Sequence, residues 1–204
     1  MVYCLLTISP QLSSSFKVIA EGMTPPQRIL FPPEKICMVW QQRQSAGAGL
    51  LNVGNTCFLN AVLQCLTYTP PLANYLLSRE HSQACRQQGF CMMCIMEAHV
   101  NKVLHSVSAI LPWAVLRGFR FIGEHFQLGR EEDAHDFLCC TVNAMQRACL
   151  SASNDLDISS QSTTIVHQIF GGFLRSRGMF LQQLLSLALP VPFCLPVPNS
   201  WPWD

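Results

Sequence analysis

The stretch "GLLNVGNTCFLNAVLQCL", residues 49–66, sets a cysteine at the start of an apolar helical pattern. The following "YTPP", residues 68–71, predicts the end of this helix because proline cannot continue it. A thiol in the first turn of a helix lies near free N–H groups that favour its thiolate. Cys57 is therefore either a nucleophile or, like most free cysteines, an inert packing residue. The apolar positions that define the helix face are Leu59, Val62, Leu63 and Leu66.

The turn before this cysteine, "NVGNT", supplies groups that a nucleophilic site needs. Its glycine lets the backbone approach a substrate closely. Asn52, five residues before Cys57, carries an amide donor that can stabilise the oxyanion formed when a thiolate attacks a carbonyl. This pattern favours cysteine-type acyl transfer, for which no cofactor is needed.

Composition limits the classes of protein that fit. The 204 residues, half of them apolar, are enough for one domain with a sizeable core. Thirteen basic against twelve acidic residues give a formal net charge of +1, which does not favour binding to nucleic acid or to an anionic membrane. The eleven cysteines are irregularly spaced and follow no secretory signal, so we expect a reduced, intracellular protein. We also expect no membrane-spanning segment, because no apolar run is long enough.

The chain divides into three parts by composition. Residues 1–48 form a proline-punctuated lead, and residues 49–177 form the folded part. Residues 178–204 hold five of the thirteen prolines and no charge before the last residue. Because proline breaks helices and removes ladder hydrogen bonds, we expect this tail to stay outside the packed domain.

Three further segments carry a secondary-structure pattern. Residues 91–105 predict a helix, and residues 131–149 predict another, with acidic residues in its first turn where the helix dipole favours them. The stretch "TTIVHQIFGGFL", residues 163–174, is β-branched and aromatic and predicts a strand.

Two segments of the chain resemble the signatures of a known family. Residues 49–66 resemble the cysteine box of the ubiquitin-specific proteases, and "EEDAHDFL", residues 131–138, resembles the second signature of that family. The stretches between them resemble the group that contains ubiquitin-specific proteases 36 and 42, and the resemblance covers roughly residues 22–177. It implies an α+β fold, that of a papain-like cysteine peptidase, of which this chain holds the mainly helical, thumb-like half.

The resemblance also implies roles for individual residues. Cys57 would attack the carbonyl at the C-terminus of ubiquitin, and Asn52 would stabilise the oxyanion. Asp133 and Asp136 would line the cleft for the basic C-terminal tail of ubiquitin. The family usually has glutamine in place of Glu131 and often glutamate in place of Asp136, which preserves a carboxylate at the latter position. The implied partners are ubiquitin and ubiquitinated proteins.

Two features of the family are missing from this sequence. The downstream histidine box and the Cys-x-x-Cys pairs of the fingers do not follow "LRSRG", residues 174–178. His135 and His167 are interpreted as hydrogen-bonded structural residues, because the family assigns neither the role of base. We therefore expect a deubiquitinase family member with negligible turnover by itself. The alternative is a non-catalytic, zinc-stapled fragment that binds a partner or has no function.

A possible metal site lies in "HSQACRQQGFCMMC", residues 81–94. Its histidine and cysteines follow an H-x3-C-x5-C-x2-C spacing, and Zn²⁺ favours a tetrahedral shell of such ligands. The alternative is a set of reduced thiols half-buried against the following helix. The candidate ligands of this structural zinc are His81, Cys85, Cys91 and Cys94. The thiols expected simply to pack in apolar helical runs are Cys65, Cys139, Cys140 and Cys149.

Overall fold

The computed structural model describes residues 24–42, 46–151, 156–177 and 186–190, which are organised mainly as α-helices. The described helices are α1 (Cys57–Thr67), α2 (Pro70–Ser78), α3 (Glu80–Ala84), α4 (Met92–His105), α5 (Trp113–Arg117), α6 (Phe119–Ile122), α7 (Ala134–Leu150), α8 (Ile158–Gln161) and α9 (Ile165–Phe170). A short 3-10 turn (Pro33–Lys35) precedes them, and β1 (Phe173–Arg177) and β2 (Ser186–Pro190) follow.

The prolines after α1 both end one helix and begin the next. As predicted, α1 stops before "YTPP". Pro70 then opens α2, because the first turn of a helix does not use its N–H groups and tolerates proline. Arg79 ends α2 in the left-handed conformation, with φ of 59°.

The core is centred on α4 and α7, the two longest helices. α7 packs against α1, α4 and α9, while α2 packs on α4. Both long helices were predicted, but α7 begins at Ala134, later than its acidic run. Asp133 precedes the first turn and caps the helix, accepting hydrogen bonds from the backbone N–H groups of His135 (2.7 Å) and Asp136 (3.1 Å).

The predicted strand over residues 163–174 is wrong for most of its length. Thr164 caps α9 by accepting a hydrogen bond from the His167 N–H at 3.1 Å, and Ile165 and Val166 are buried in the core. β-branched residues favour strands chiefly because they suit half-buried surfaces, and here the burial is supplied by helix packing. The last two residues of the stretch, Phe173 and Leu174, are the ones that belong to a described strand, at the start of β1.

β1 and β2 pair antiparallel, with Phe173 opposite Pro190 and Arg177 opposite Ser186. β2 lies in the segment predicted as a separate tail, and residues 178–185 and 191–204 lie outside the described residues. Residues 1–23, at the start of the predicted lead, also lie outside them.

Part of the proline-punctuated lead packs onto the helices. The Phe31 side chain is only 7% exposed, and its N–H donates to the Thr163 carbonyl at 3.1 Å. The Gln168 amide donates to the Phe31 carbonyl at 2.8 Å. The core therefore includes residues that precede the cysteine box. No described helix combines the length and the apolar character needed to cross a membrane.

Candidate active site and metal centre

The turn that carries Cys57 is held at its entry by backbone pairing. Leu50 and Ile110 form a parallel bridge, in which the Leu51 N–H donates to Ile110 and the Ile110 N–H donates to Gly49, both at 2.9 Å. The Asn60 side chain, on α1, donates to the Leu51 carbonyl at 3.2 Å. The chain therefore enters the turn from a fixed position.

Asn52 organises the turn itself. Its Oδ1 accepts hydrogen bonds from the Gly54 N–H (3.2 Å), the Thr56 N–H (3.2 Å) and the Thr56 hydroxyl (2.9 Å). Gly54 and Asn55 both have positive φ, 93° and 51°, which glycine and asparagine adopt more easily than other residues. The acceptor oxygen of the Asn52 amide is thus used within the turn, and its Nδ2 group can donate hydrogen bonds to other atoms.

Cys57 is exposed and is the first residue of α1. The preceding Thr56 is buried, and its hydroxyl bonds back to Asn52 instead of capping the helix. The first N–H groups of α1 are therefore available to negative charge beside the thiol. No histidine is hydrogen-bonded to Cys57 in the part of the chain that the structure describes.

A cluster of four phenylalanines joins the regions around the candidate residues. The rings of Phe58 and Phe137 are 5.6 Å apart, as are those of Phe126 and Phe137, and Phe119 contacts all three. Phe58 directly follows Cys57, and Phe137 directly follows Asp136. The start of α1 and the start of α7 are therefore fixed against a common buried support.

A hydrogen bond also connects the cysteine turn to the loop before α7. The Asn55 amide donates to the Gly129 carbonyl at 2.9 Å. Gly129 has φ of 86°, and the neighbouring Gln127 N–H is held by the Glu132 carboxylate at 3.2 Å. The carboxylates at the start of α7 thus lie in a loop that is tied to the thiol turn.

The two candidate carboxylates have different surroundings. Asp133 is exposed and caps α7, whereas Asp136 pairs with His125, whose Nε2 lies 2.7 Å from Oδ2. His125 was not predicted from the sequence as a residue of the site. It comes from the loop before α7, eleven residues from Asp136, and no local spacing signals the pair.

The other histidines of the site region are structural in their surroundings. The His135 Nε2 lies 3.6 Å from the Cys139 Sγ, one helical turn away on α7. His167 is half-buried on α9, and this burial lowers its pKa. The contact of the His135 ring with Cys139 is consistent with the prediction of a hydrogen-bonded histidine, and for His167 the prediction stays a prediction.

The predicted metal ligands meet in space. The ligand atoms of the four residues lie within 4.8 Å of one another. The His81 Nε2 is 3.2 Å from the Cys91 Sγ, and the Cys85 and Cys91 sulfurs are 3.7 Å apart. A tetrahedral zinc with Zn–S bonds of about 2.3 Å separates two thiolates by about 3.8 Å. The group therefore fits structural zinc.

Burial sets the protonation of this cluster without metal. It raises the pKa of the Cys91 and Cys94 thiols and lowers the pKa of His81, the latter opposed by the Glu97 carboxylate. Neutral His81 is the form that binds a metal, while the thiols must lose protons on binding. Elsewhere, Cys139 is buried and Cys140 and Cys149 are half-buried, but Cys65 is exposed and not packed as predicted.

A thiol-type hydrolase is the class of protein that this arrangement favours. The sequence pattern of the ubiquitin carboxyl-terminal hydrolase family matches residues 48–182, and the chain belongs to that family. It is 56% identical over 170 residues to human ubiquitin carboxyl-terminal hydrolase 42, covering 83% of this chain and 13% of that protein.

Two other human relatives differ in what their names say about activity. Ubiquitin carboxyl-terminal hydrolase 17-like protein 6 is 47% identical over 159 residues, which cover 78% of this chain and 39% of that protein. Inactive ubiquitin carboxyl-terminal hydrolase 17-like protein 8 is 48% identical over 167 residues, which cover 81% of this chain and 31% of that protein. The chain therefore spans less than half the length of these curated relatives.

Solved structures agree on the fold. The SAGA deubiquitinating module of Ubp8, Sgf11, Sus1 and Sgf73 bound to monoubiquitin matches with a TM-score of 0.58 at 20% identity. The match covers 88% of this chain and 39% of that chain. The same module bound to ubiquitin aldehyde gives a TM-score of 0.56. The predicted ubiquitin-specific protease fold is confirmed, in its mainly helical part.

Proposed function

We propose that Cys57 is the nucleophile of a thiol-dependent deubiquitinase that cleaves the bond after the C-terminal glycine of ubiquitin. The observation that carries this proposal is the exposed Cys57 thiol at the N-terminus of α1, behind a turn pinned by Asn52. Helix N–H groups and a fixed turn stabilise negative charge at the position where a thiolate must attack. Family membership supports the same chemistry.

Asn52 is proposed to stabilise the oxyanion. Its Oδ1 is held by the turn, which orients Nδ2 without further ordering during the reaction. Removing one such donor from an acyl-transfer site lowers turnover by about 100-fold to 1000-fold. Asn52→Asp keeps the acceptor oxygen for the turn, removes the donor and adds negative charge beside the oxyanion, so it should lower turnover by at least this factor while the turn is retained.

Asp133 and Asp136 are proposed to bind the basic C-terminal tail of ubiquitin. Both lie at the start of α7, which follows the loop that contacts the cysteine turn at Gly129. The capping role of Asp133 can be separated from its charge, because asparagine caps helices about as well as aspartate. Asp133→Asn should therefore weaken ubiquitin binding by about fivefold, the effect of one partly exposed ion pair, with the fold unchanged.

The proton acceptor for Cys57 is proposed to come from outside the described residues. Nucleophilic cysteines need a base within hydrogen-bond reach, and within the described ranges no histidine contacts this thiol by a hydrogen bond. We therefore expect negligible turnover by the chain alone, and turnover once it is joined to the histidine-bearing part of a related catalytic domain.

The test measures release of a fluorophore from the C-terminus of ubiquitin by this joined protein. Cys57→Ala should abolish release, whereas Cys65→Ala, which removes an exposed thiol from the same helix, should leave it unchanged. Asn52→Asp should lower release by at least the factor given above. Release that survives Cys57→Ala would contradict the assignment. Labelling of the chain alone by a small alkylating reagent, mapped to Cys57 or Cys65 by mass spectrometry, keeps the comparison informative if the joined protein misfolds.

We further propose one tightly bound structural zinc at His81, Cys85, Cys91 and Cys94. The distances between the ligand atoms support this site. The ion would hold together the connection between α2 and α4, which contributes little to the core. Metal analysis of purified protein should find zinc, lost in the Cys91→Ser and Cys94→Ser double variant. A Cys37→Ser and Cys65→Ser variant is the control. Absence of tightly bound zinc, or tightly bound zinc that survives the first double change, would contradict this proposal.

The metal cluster also favours a second candidate, a non-catalytic zinc-stapled ubiquitin-binding fragment. In that case ubiquitin binds, and Asp133→Asn weakens it, while the joined protein shows no release that depends on Cys57. The fluorophore measurement thus separates the two functions.

A further inference from the structure

A second group of metal-type ligands lies at the start of α7, formed by His125, Asp136 and Cys140. Their ligand atoms lie within 4.8 Å of one another. Asp136 and Cys140 are one helical turn apart, so both side chains lie on the same face of α7. His125 reaches that face from the preceding loop. This group shares no residue with the His81 cluster.

The carboxylate of Asp136 lies between the other two ligands. Its Oδ2 is 2.7 Å from the His125 Nε2, and its Oδ1 is 3.8 Å from the Cys140 Sγ. The His125 and Asp136 side chains are 54% and 45% exposed, and Cys140 is half-buried. The His125 and Asp136 side chains are therefore open to an ion from solvent, and Cys140 lies beside them at the edge of the core.

The protein core fixes the spacing of these ligands. Phe126 and Phe137, which directly follow His125 and Asp136, are almost completely buried. Their rings are 5.6 Å apart within the phenylalanine cluster. The backbone positions of the two ligands are therefore held by side chains that cannot move apart without opening a cavity. Such preorganisation favours binding, because little ordering remains for the ion to impose.

We propose that His125, Asp136 and Cys140 form an exchangeable zinc site. Zinc takes the Nε2 lone pair of neutral His125, a carboxylate oxygen of Asp136 and the thiolate of Cys140, whose proton is released to water. One imidazole, one carboxylate and one thiolate leave the fourth tetrahedral position to water, as in zinc sites with three protein ligands. The partial exposure and the mixed ligands make this zinc weaker and faster to exchange than the ion at the all-soft His81 cluster.

Occupancy of this site would compete with ubiquitin, a consequence that rests on the proposed function. Asp136 is a proposed contact for the basic tail, and a carboxylate that coordinates zinc has lost most of its negative potential. With one carboxylate and one thiolate as ligands, the zinc site is formally neutral, so the negative charge that attracts the basic tail is lost. Zinc should therefore inhibit tail binding reversibly, and a chelator should restore it.

The site is tested by zinc titration against a chromophoric chelator, on the chain that already carries its tightly bound zinc. The wild-type chain should take up a second equivalent. His125→Gln and Cys140→Ser should each weaken that second equivalent by at least about tenfold. His105→Gln and Cys65→Ser remove an exposed histidine and an exposed thiol elsewhere and should leave it unchanged. With zinc kept at the His81 cluster, cobalt added as the second equivalent should give a thiolate-to-metal absorption band that is absent in Cys140→Ser.

Absence of the second equivalent, or a second equivalent that both ligand variants retain, would overturn the site. His125→Gln lies in an exposed loop, so it tests the site even if Cys140→Ser fails to fold. Ubiquitin binding measured with and without zinc separates the consequence from the site. Zinc bound with ubiquitin affinity unchanged would refute the competition alone, whereas ubiquitin that fails to bind without zinc would refute the proposed tail contact.

Discussion

Lowering the pH should destabilise this protein through one buried histidine, His99 on α4. Its side chain is 5% exposed, and its Nε2 has no hydrogen-bond partner within the ranges that the structure describes. Burial, aided by the positive charge of Lys102, lowers the pKa of His99 from 6.5 to about 4. The unfolded chain therefore takes up a proton between these pH values that the folded protein does not.

The sign and size of the effect follow from that difference. The contribution of His99 to the free energy of unfolding is fully present above the unfolded-state pKa of 6.5. It is lost as the pH falls toward about 4, because the unfolded chain then binds a proton that buried His99 does not. A pKa difference of about 2.5 units corresponds to about 3 kcal/mol over the whole range. Between about pH 7 and about pH 5, the free energy of unfolding should fall by about 2 kcal/mol through His99.

The assay is urea unfolding, followed by circular dichroism, at both pH values. His99→Gln should lose about 2 kcal/mol less than the wild-type protein between them. His105→Gln, at the exposed end of the same helix, is the control and should behave as the wild-type protein does. His81 and His167, whose pKa values burial also lowers, are present in every variant, so their contributions cancel. An undiminished pH dependence in His99→Gln would refute the reasoning.

Three further changes test the packing and the helix caps, each by urea unfolding at neutral pH. Phe137→Ala should lower the free energy of unfolding by about 3–5 kcal/mol, because the ring is fully buried in the phenylalanine cluster. Phe121→Ala should lower it by about 1 kcal/mol or less, because Phe121 is 65% exposed. Equal losses would contradict the role of the cluster. Asp133→Ala should lower the free energy of unfolding by about 1 kcal/mol, and Asp133→Asn by only a few tenths, because asparagine also caps helices. An equal loss of about 1 kcal/mol in both variants would show that Asp133 does not act as a cap. Thr164→Ala should cost about 1–2 kcal/mol, because its hydroxyl caps α9 and donates to Gln146. Unchanged stability would refute that assignment.

The helices that sequence predicted correctly are α1, α4 and α7. Each is long enough to repeat an apolar face several times, so the period of a helix can be recognised. α9 has six residues, too few to separate a helical period from a strand, and its apolar composition reports burial and not conformation. The packing of Phe31 against residues near 163 is also invisible in sequence, because it depends on a contact more than 130 residues apart.

Some contacts of the candidate site could likewise be predicted from the sequence, and others could not. Cys57 and Asn52 belong to one turn, and the four ligands at residues 81–94 belong to one short segment, so their proximity follows from local spacing. His125 and Asp136 are brought together by a loop whose path is set by the burial of Phe126 and Phe137. No spacing rule predicts that path.

Sequence by itself determined the family, through signatures spread along the chain. It also determined the helix that presents the thiol and the candidate metal ligands, because these rest on contacts between residues close in the chain. Only the tertiary structure decided that Asp136 faces His125, and that the cysteine turn contacts Gly129 through the Asn55 amide. These outcomes depend on which side of each helix is buried and on the loops that connect the buried sides. The free energy that fixes them comes from the packing of the whole core, which no single segment contains.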